Sequence, residues 1–112
     1  MNDESKLAWI LRQLITSETP KKRPLPHGLA LSWHPAGDDG ICELWIGRRD
    51  SQPSEQEDRT VLGELAAAAK AEGLTIAEMR MSPGQHIRGR RGSYGVTIFR
   101  FRLYKQPPLP LS

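Results

Sequence analysis

Five apolar residues near the N-terminus recur at the spacing of one helical face: Leu7, Ile10, Leu11, Leu14 and Ile15. Acidic and hydroxyl residues come directly before them and can cap a helix, so the pattern predicts a helix over residues 4–17. At roughly 100° per residue, Trp9 points about 200° away from Leu7, outside the apolar stripe. A tryptophan there should meet another part of the fold, a second subunit or a ligand, and we expect packing within the fold.

A second helix has the clearest start in the chain. Ser54 and Glu57 have the spacing of a capping box, and Gly73 is of the type that ends a helix. Small apolar residues between them form a stripe suited to close packing on a sheet: Val61, Leu62, Leu65, Ala66 and Ala69. The sequence therefore predicts a helix over residues 54–72.

Two segments of alternating polarity, residues 28–34 and 41–47, predict a β-hairpin because a stretch dense in turn residues separates them. Pairing Trp33 with Cys42 makes the apolar faces of the two strands agree. The same alternation places Trp45 on the outward face of its strand, away from Cys42.

The segment 75–82 decides between two folds. Its alternation predicts a strand, whereas the capping box of Thr75 and Glu78 would open a helix. In a helix-turn-helix, that helix would be the recognition helix. Two residues disagree with this motif, because Glu72 occupies a position that should be apolar and Pro83 would end the helix after about two turns. We therefore favour the strand.

The last strand is predicted over residues 94–104, where polar and apolar side chains alternate. The preferred fold is α+β with the order α-β-β-α-β-β, a four-stranded antiparallel sheet with two helices packed on it. The alternative is a winged helix-turn-helix with an extra N-terminal hairpin. We expect one domain over residues 1–105 and a Pro-rich tail over residues 106–112.

Composition restricts the compartment. The chain of 112 residues has one cysteine, Cys42, whereas small secreted domains normally need several for their disulfides. No apolar run approaches the roughly 18 residues of a membrane span, and the acidic N-terminus lacks the features of a signal peptide. These features predict a cytoplasmic protein that makes no membrane contact.

Charge is distributed unevenly along the chain. The net charge is +3, but residues 36–74 contain nine acids and four bases, a net charge of −5. Residues 75–112 contain a single acid and seven bases, a net charge of +6. Such asymmetry favours a polyanionic partner.

No set of residues has the pattern of an enzyme. Cys42 lies across the predicted hairpin from His34, but its phase is that of a buried apolar residue. The histidines and the cysteine lack paired metal-ligand spacing, and Asp38 and Asp39 lack the alternating oxygens of a calcium loop. We expect neither catalysis nor a metal, cofactor or small-molecule substrate.

The nucleic-acid prediction rests on two features of the last third. Residues 86–94 have the composition of a mobile basic loop, and the outward phase of the last strand adds arginines and Tyr104, a face that Trp45 can share. Guanidinium groups bind phosphates, and aromatic rings stack on unpaired bases. We therefore predict binding of nucleic acid, single-stranded by preference, through Arg88, Arg90, Arg91, Tyr94, Arg100 and Arg102.

A further basic cluster lies in residues 20–26, which three prolines should keep extended as a linker. Lys21, Lys22 and Arg23 can reach phosphate from this linker. They are therefore included in the predicted nucleic-acid site.

Another class of function stays open on the same sequence. Trp9 and Trp45 both have an outward phase, and tryptophans are frequent anchors of protein interfaces. The alternative prediction is a protein-interaction or homodimerisation module, such as an accessory or inhibitor protein, with these two residues as anchors.

Overall fold

The computed structural model describes residues 4–49, 54–89 and 92–105. Within this part of the chain lie two α-helices, a 3-10 turn at Pro26–Gly28 and five strands. Their bounds are α1 Lys6–Ile15, β1 Lys21–Pro24, β2 Leu29–His34, β3 Cys42–Arg49, α2 Glu55–Ala71, β4 Leu74–Gly89 and β5 Gly92–Lys105. None of the described helices is long and apolar enough to cross a membrane.

The strands form one antiparallel sheet in the order β1-β2-β3-β5-β4, and both helices pack on the same face of it. The helices meet the sheet through a core that includes Leu11, Trp33, Leu44, Leu65 and Phe99. The predicted α+β class with two helices is confirmed. Residues 106–112, predicted as a tail, lie outside the described residues.

Both helices begin and end close to where their sequences predict. The hydroxyl of Ser5 accepts from the backbone N–H of Ala8 at 3.0 Å, and that of Ser54 accepts from Glu57. Gly73 follows α2 with a φ of 69°, the left-handed conformation that glycine adopts at low cost. Capping therefore determines where the helices lie along the chain.

The sheet has five strands where four were predicted. Residues 21–24, expected to be part of a linker, form β1 and pair with β2, so that Lys22 lies opposite Ser32. Proline is compatible with this position because Pro24 ends an edge strand, which needs hydrogen bonds on one side only. The three prolines of residues 20–26 therefore do not exclude a short edge strand.

The hairpin of β2 and β3 has the predicted faces but another register. Trp33 lies opposite Leu44, two residues from the predicted partner Cys42. Strand β2 ends at His34 and β3 begins at Cys42, so the connection between them is longer than a tight turn. Because side chains alternate with a period of two, a shift of two residues leaves every side chain on its predicted face.

The segment 75–82 is part of strand β4, so the winged helix-turn-helix alternative is wrong. Residues 86–89, predicted as part of a basic loop, also belong to this strand. The pairing of β4 with β5 shifts between Ala77 and Arg80 and again between Ser82 and Gln85. Pro83 and Gly84, which are residue types frequent in turns, lie in the second shift, and pairing resumes after them at Gln85.

Both edges of the sheet are protected against the addition of another strand. At one edge, β1 is only four residues long and contains lysines and a proline. At the other edge, the two register shifts interrupt β4. Short length, charge, proline and bulges are the features that discourage edge pairing. The sheet therefore offers its uncovered face, more than its edges, for recognition.

Candidate functional site

The face of the sheet opposite the helices is here called the open face. Trp45 lies on it, opposite Ser32 of β2 and Ile98 of β5. Arg100 follows two residues after Ile98 and shares this face, which confirms the predicted association of Trp45 with the arginine face of β5. Aromatic and basic side chains therefore share one uncovered surface.

A hydrogen-bonded cluster fixes Trp45 on the open face. Glu43 accepts from the indole Nε1 of Trp45 at 2.9 Å, and its other oxygen lies 2.9 Å from the guanidinium Nε of Arg100. The ring of His34 lies against the indole with a centroid separation of 4.9 Å, and Ser32 shares a hydrogen bond of 3.1 Å with that imidazole. The indole is thus oriented before any ligand arrives.

A groove of about 470 Å³ runs across the open face. Its volume is within the range of about 300–1,000 Å³ that is typical of small-molecule and cofactor sites. The groove crosses the sheet, because its lining comes from all five strands: Lys22 and Arg23 of β1, Ser32 and His34 of β2, Trp45 and Gly47 of β3, Tyr94 and Val96 of β5, and Ile87 of β4.

The centre of the groove contains a glycine beside larger side chains. Val96, the partner of Gly47 on β5, lines the groove and is only 4% exposed. The Cδ1 atom of the Tyr94 ring lies 3.6 Å from the place where a Cβ of Gly47 would be. At Gly47 the backbone therefore carries no side chain into the groove.

Cations lie at the β1 end of the groove. Lys22 and Arg23 line it there, and their neighbour Lys21 is exposed beside them. Arg88 is exposed on β4 but directly follows the groove residue Ile87, so the alternation of the strand directs it to the opposite face. An anionic chain lying in the groove would therefore meet positive charge at β1.

Two of the predicted phosphate ligands are already paired with acidic residues. Arg100 pairs with Glu43, and the guanidinium Nε of Arg102 lies 2.6 Å from Glu78. Arg102 also donates to the backbone carbonyl of Asp39. These contacts reduce the positive charge that the sequence assigns to this strand, so Arg100 and Arg102 are weaker candidates for phosphate contact than the groove cations.

The predicted basic loop is a strand hairpin in its described part. Arg88 pairs with Ser93 and Ile87 with Tyr94, so Arg88 and Tyr94 are held by regular β-structure. The mobile loop expected there is therefore wrong for these residues. Arg90 and Arg91 lie outside the described residues.

Comparison with known proteins gives no matching family model, curated relative or solved structure. The function of this chain is therefore inferred from the geometry of its open face.

The second tryptophan of the predicted protein interface lies on the other side of the molecule. Trp9 is 49% exposed on α1, in the layer of helices, so the packing within the fold expected for it is wrong. Trp45 belongs to the open face of the sheet. One flat partner surface therefore cannot contact both tryptophans.

Cys42 is separated from the histidine that the sequence placed across from it. Its side chain is 2% exposed on the helix-facing side, whereas His34 belongs to the open face. Burial raises the pKa of the Cys42 thiol to about 11, and the thiol donates to the carbonyl of Phe101 at 3.2 Å. At neutral pH this is a protonated, covered thiol, the opposite of an activated nucleophile.

Sequence reasoning missed a buried carboxylate. Asp58 is 4% exposed in the first turns of α2 and accepts a hydrogen bond of 3.0 Å from the hydroxyl of Thr97. Its pKa is raised because burial disfavours the charged form.

In the described part of the chain, no group of three or more histidine, cysteine or acidic side chains is arranged to hold a metal ion.

Proposed function

We propose that this protein binds single-stranded nucleic acid on the open face of its sheet. The observation that carries the proposal is the groove, which combines the rings of Trp45 and Tyr94 with cations at its β1 end. Glu43 and His34 hold the Trp45 ring in place. Rings stack on unpaired bases whatever their sequence, and lysine and arginine attract the phosphates between them. Binding here involves no chemical step.

The geometry favours a single strand over a duplex. Residues 75–82 form a strand, so the described chain has no recognition helix at that position to enter a major groove. The rings of Trp45 and Tyr94 lie on a sheet, where they can reach bases only if these are unpaired. A duplex would contact the outer cations without using the rings.

A binding titration tests the proposal. Wild-type protein is titrated into labelled single-stranded DNA, single-stranded RNA and duplex DNA of equal length at several salt concentrations. We expect the single strands to bind more tightly than the duplex, with an affinity that falls linearly on a log–log plot against salt. Absence of binding to any of the three at low salt would contradict the proposal.

A protein contact at helix α1 is the second candidate function. The exposed Trp9 favours it, because a half-exposed tryptophan on a helix is a common interface anchor. This function would use the helical layer and leave the open face free. The Trp9→Ala variant tests it: a lower mass in sedimentation or the loss of a captured partner supports the contact, and unchanged behaviour in both experiments contradicts it.

A further inference from the structure

Gly47 lies in a place where the fold does not require glycine. It belongs to β3, the central strand of five, and glycine in a strand interior weakens the strand. Its φ is not positive, so its backbone conformation is open to any residue. A Cβ added there would come no closer than 3.6 Å to any neighbour, and 3.9 Å to the nearest backbone atom, the carbonyl oxygen of Ala30. The fold would therefore accept alanine.

What glycine does provide is space in the groove. A side chain at position 47 would project between the groove residues Tyr94 and Val96, whose atoms lie 3.6 and 3.9 Å from the Cβ position. Trp45 is two residues away on the same face of the same strand, a separation of about 7 Å. Glycine in a strand often marks a close approach by a ligand.

We propose that Gly47 is the floor of a slot that receives one unpaired nucleobase, flanked by Trp45 and Tyr94. This inference rests on the proposed function and assigns its central contact. A flat ring can lie on bare backbone and meet an aromatic group on either side, whereas even a methyl group would lift it away. Lys22 and Arg23 line the same groove at its β1 end, so the phosphates of a chain that continues from the slot toward β1 meet positive charge.

The ligand then crosses the strands of the sheet. Five strands spaced by about 4.8 Å span about 19 Å. A stacked strand rises about 3.4 Å per nucleotide, so the groove holds about six nucleotides at most. A groove of this length favours a chain that continues past the slot over a free nucleotide, which would fill only part of it.

The test compares Gly47→Ala and Gly47→Val with Gly63→Ala. Gly63 is exposed on α2 with no atom within 4 Å of a Cβ added there, so its variant controls for the same chemical change on the other layer. The probes are a labelled DNA hexamer, an abasic hexamer that keeps the phosphates, and adenosine monophosphate. Thermal melting of each variant reports on the fold.

We expect Gly47→Ala to melt no lower than wild type and to bind the hexamer at least tenfold more weakly, with a larger loss for Gly47→Val. Gly63→Ala should bind like wild type. Wild type should prefer the natural hexamer to the abasic one at least tenfold, and Gly47→Val should lose this preference.

Two outcomes overturn the slot itself, and another overturns the path of the ligand across the sheet. If wild type binds the hexamer and Gly47→Ala and Gly47→Val bind it equally well, the slot is wrong while the proposed function stands. If adenosine monophosphate binds as tightly as the hexamer, the site takes a free nucleotide and the path across the sheet is wrong. If wild type binds no probe at low salt, the proposed function fails together with the slot.

Discussion

Asp58 is buried in the first turns of α2, where its carboxylate has exchanged water for the hydroxyl of Thr97. Burial raises its pKa and the nearby Glu57 adds to the rise, while the Thr97 hydrogen bond and Arg48 oppose it. The folded state therefore holds this proton more strongly than the unfolded chain does. Stability due to this residue is largest below the usual aspartate pKa of about 3.9 and declines as the pH rises through the folded-state value.

The Asp58→Asn variant tests this assignment. Asparagine keeps an acceptor for Thr97 but does not titrate, so its stability relative to wild type should increase between about pH 4 and pH 7. Urea unfolding of both proteins at several pH values measures the difference, from which the other titrating groups cancel. If the stability of Asp58→Asn relative to wild type stays constant or decreases over this pH range, the pKa of Asp58 is not raised in the folded state.

Residues that meet a single local requirement could be predicted from the sequence. Ser5 and Ser54 cap the first turns of the helices and Gly73 ends α2, and each of these roles depends only on residues nearby in the chain. Asp58 and Gly47 were not predictable, because their meaning depends on strands far away in the chain. A glycine inside an alternating segment was the only available signal for Gly47.

Strand β4 is the element whose local sequence and structure disagree most. Glu78 has a φ of 56°, in the left-handed region that costs a non-glycine residue of order 1–3 kcal/mol. It lies where the pairing with β5 shifts, and its carboxylate pairs with Arg102. The capping pattern at Thr75 is therefore overruled by pairing with β5, which a single-sequence pattern cannot anticipate.

At this bulge the normal ranking of alanine and glycine in strands should be reversed. Glu78→Ala and Glu78→Gly both lose the exposed ion pair with Arg102, so their comparison isolates the backbone. We expect the glycine variant to be more stable by about 1 kcal/mol in urea unfolding, because glycine adopts positive φ without strain. An alanine variant of equal or greater stability would argue against strain at this position.

The phase of the strands was predictable and their pairing was not. Alternation placed Trp33 and Leu44 inward and Trp45 outward, but the register of β2 and β3 was two residues wrong. Proline-rich residues 20–26 were assigned to a linker because proline disfavours a central strand, whereas β1 is an edge. Which strand becomes an edge is decided by the whole sheet.

On the scale of the molecule, Lys22 and Arg23 place positive charge at the β1 end of the groove. We predict that replacing Lys21, Lys22 and Arg23 together with alanine flattens the log–log salt slope for single-stranded DNA by about 2, since each phosphate contact contributes about 0.7. Replacing Lys6, Arg59 and Lys70 on the helices changes the net charge equally and should leave the slope within about 0.5 of wild type. Equal effects of the two triple variants would mean that only net charge matters.

A parallel prediction concerns Arg88, Arg90 and Arg91, which the sequence assigns to phosphate contact. Replacing all three with alanine should flatten the slope by about 2, at about 0.7 for each contact, and should leave the melting temperature almost unchanged, because an exposed side chain such as Arg88 contributes little to the core. An unchanged slope in the same salt titration would restrict phosphate contact to the β1 end.

The most direct test of the whole account compares Trp45→Ala with Trp9→Ala in binding to one labelled single-stranded oligonucleotide. The two tryptophans lie on opposite layers, so each variant controls for the other. Loss of a stacked ring costs about 1–3 kcal/mol, and we therefore expect Trp45→Ala to weaken binding roughly 5- to 150-fold while Trp9→Ala stays within about twofold of wild type. Binding that is unaffected by Trp45→Ala, or reduced more by Trp9→Ala, would contradict recognition on the open face.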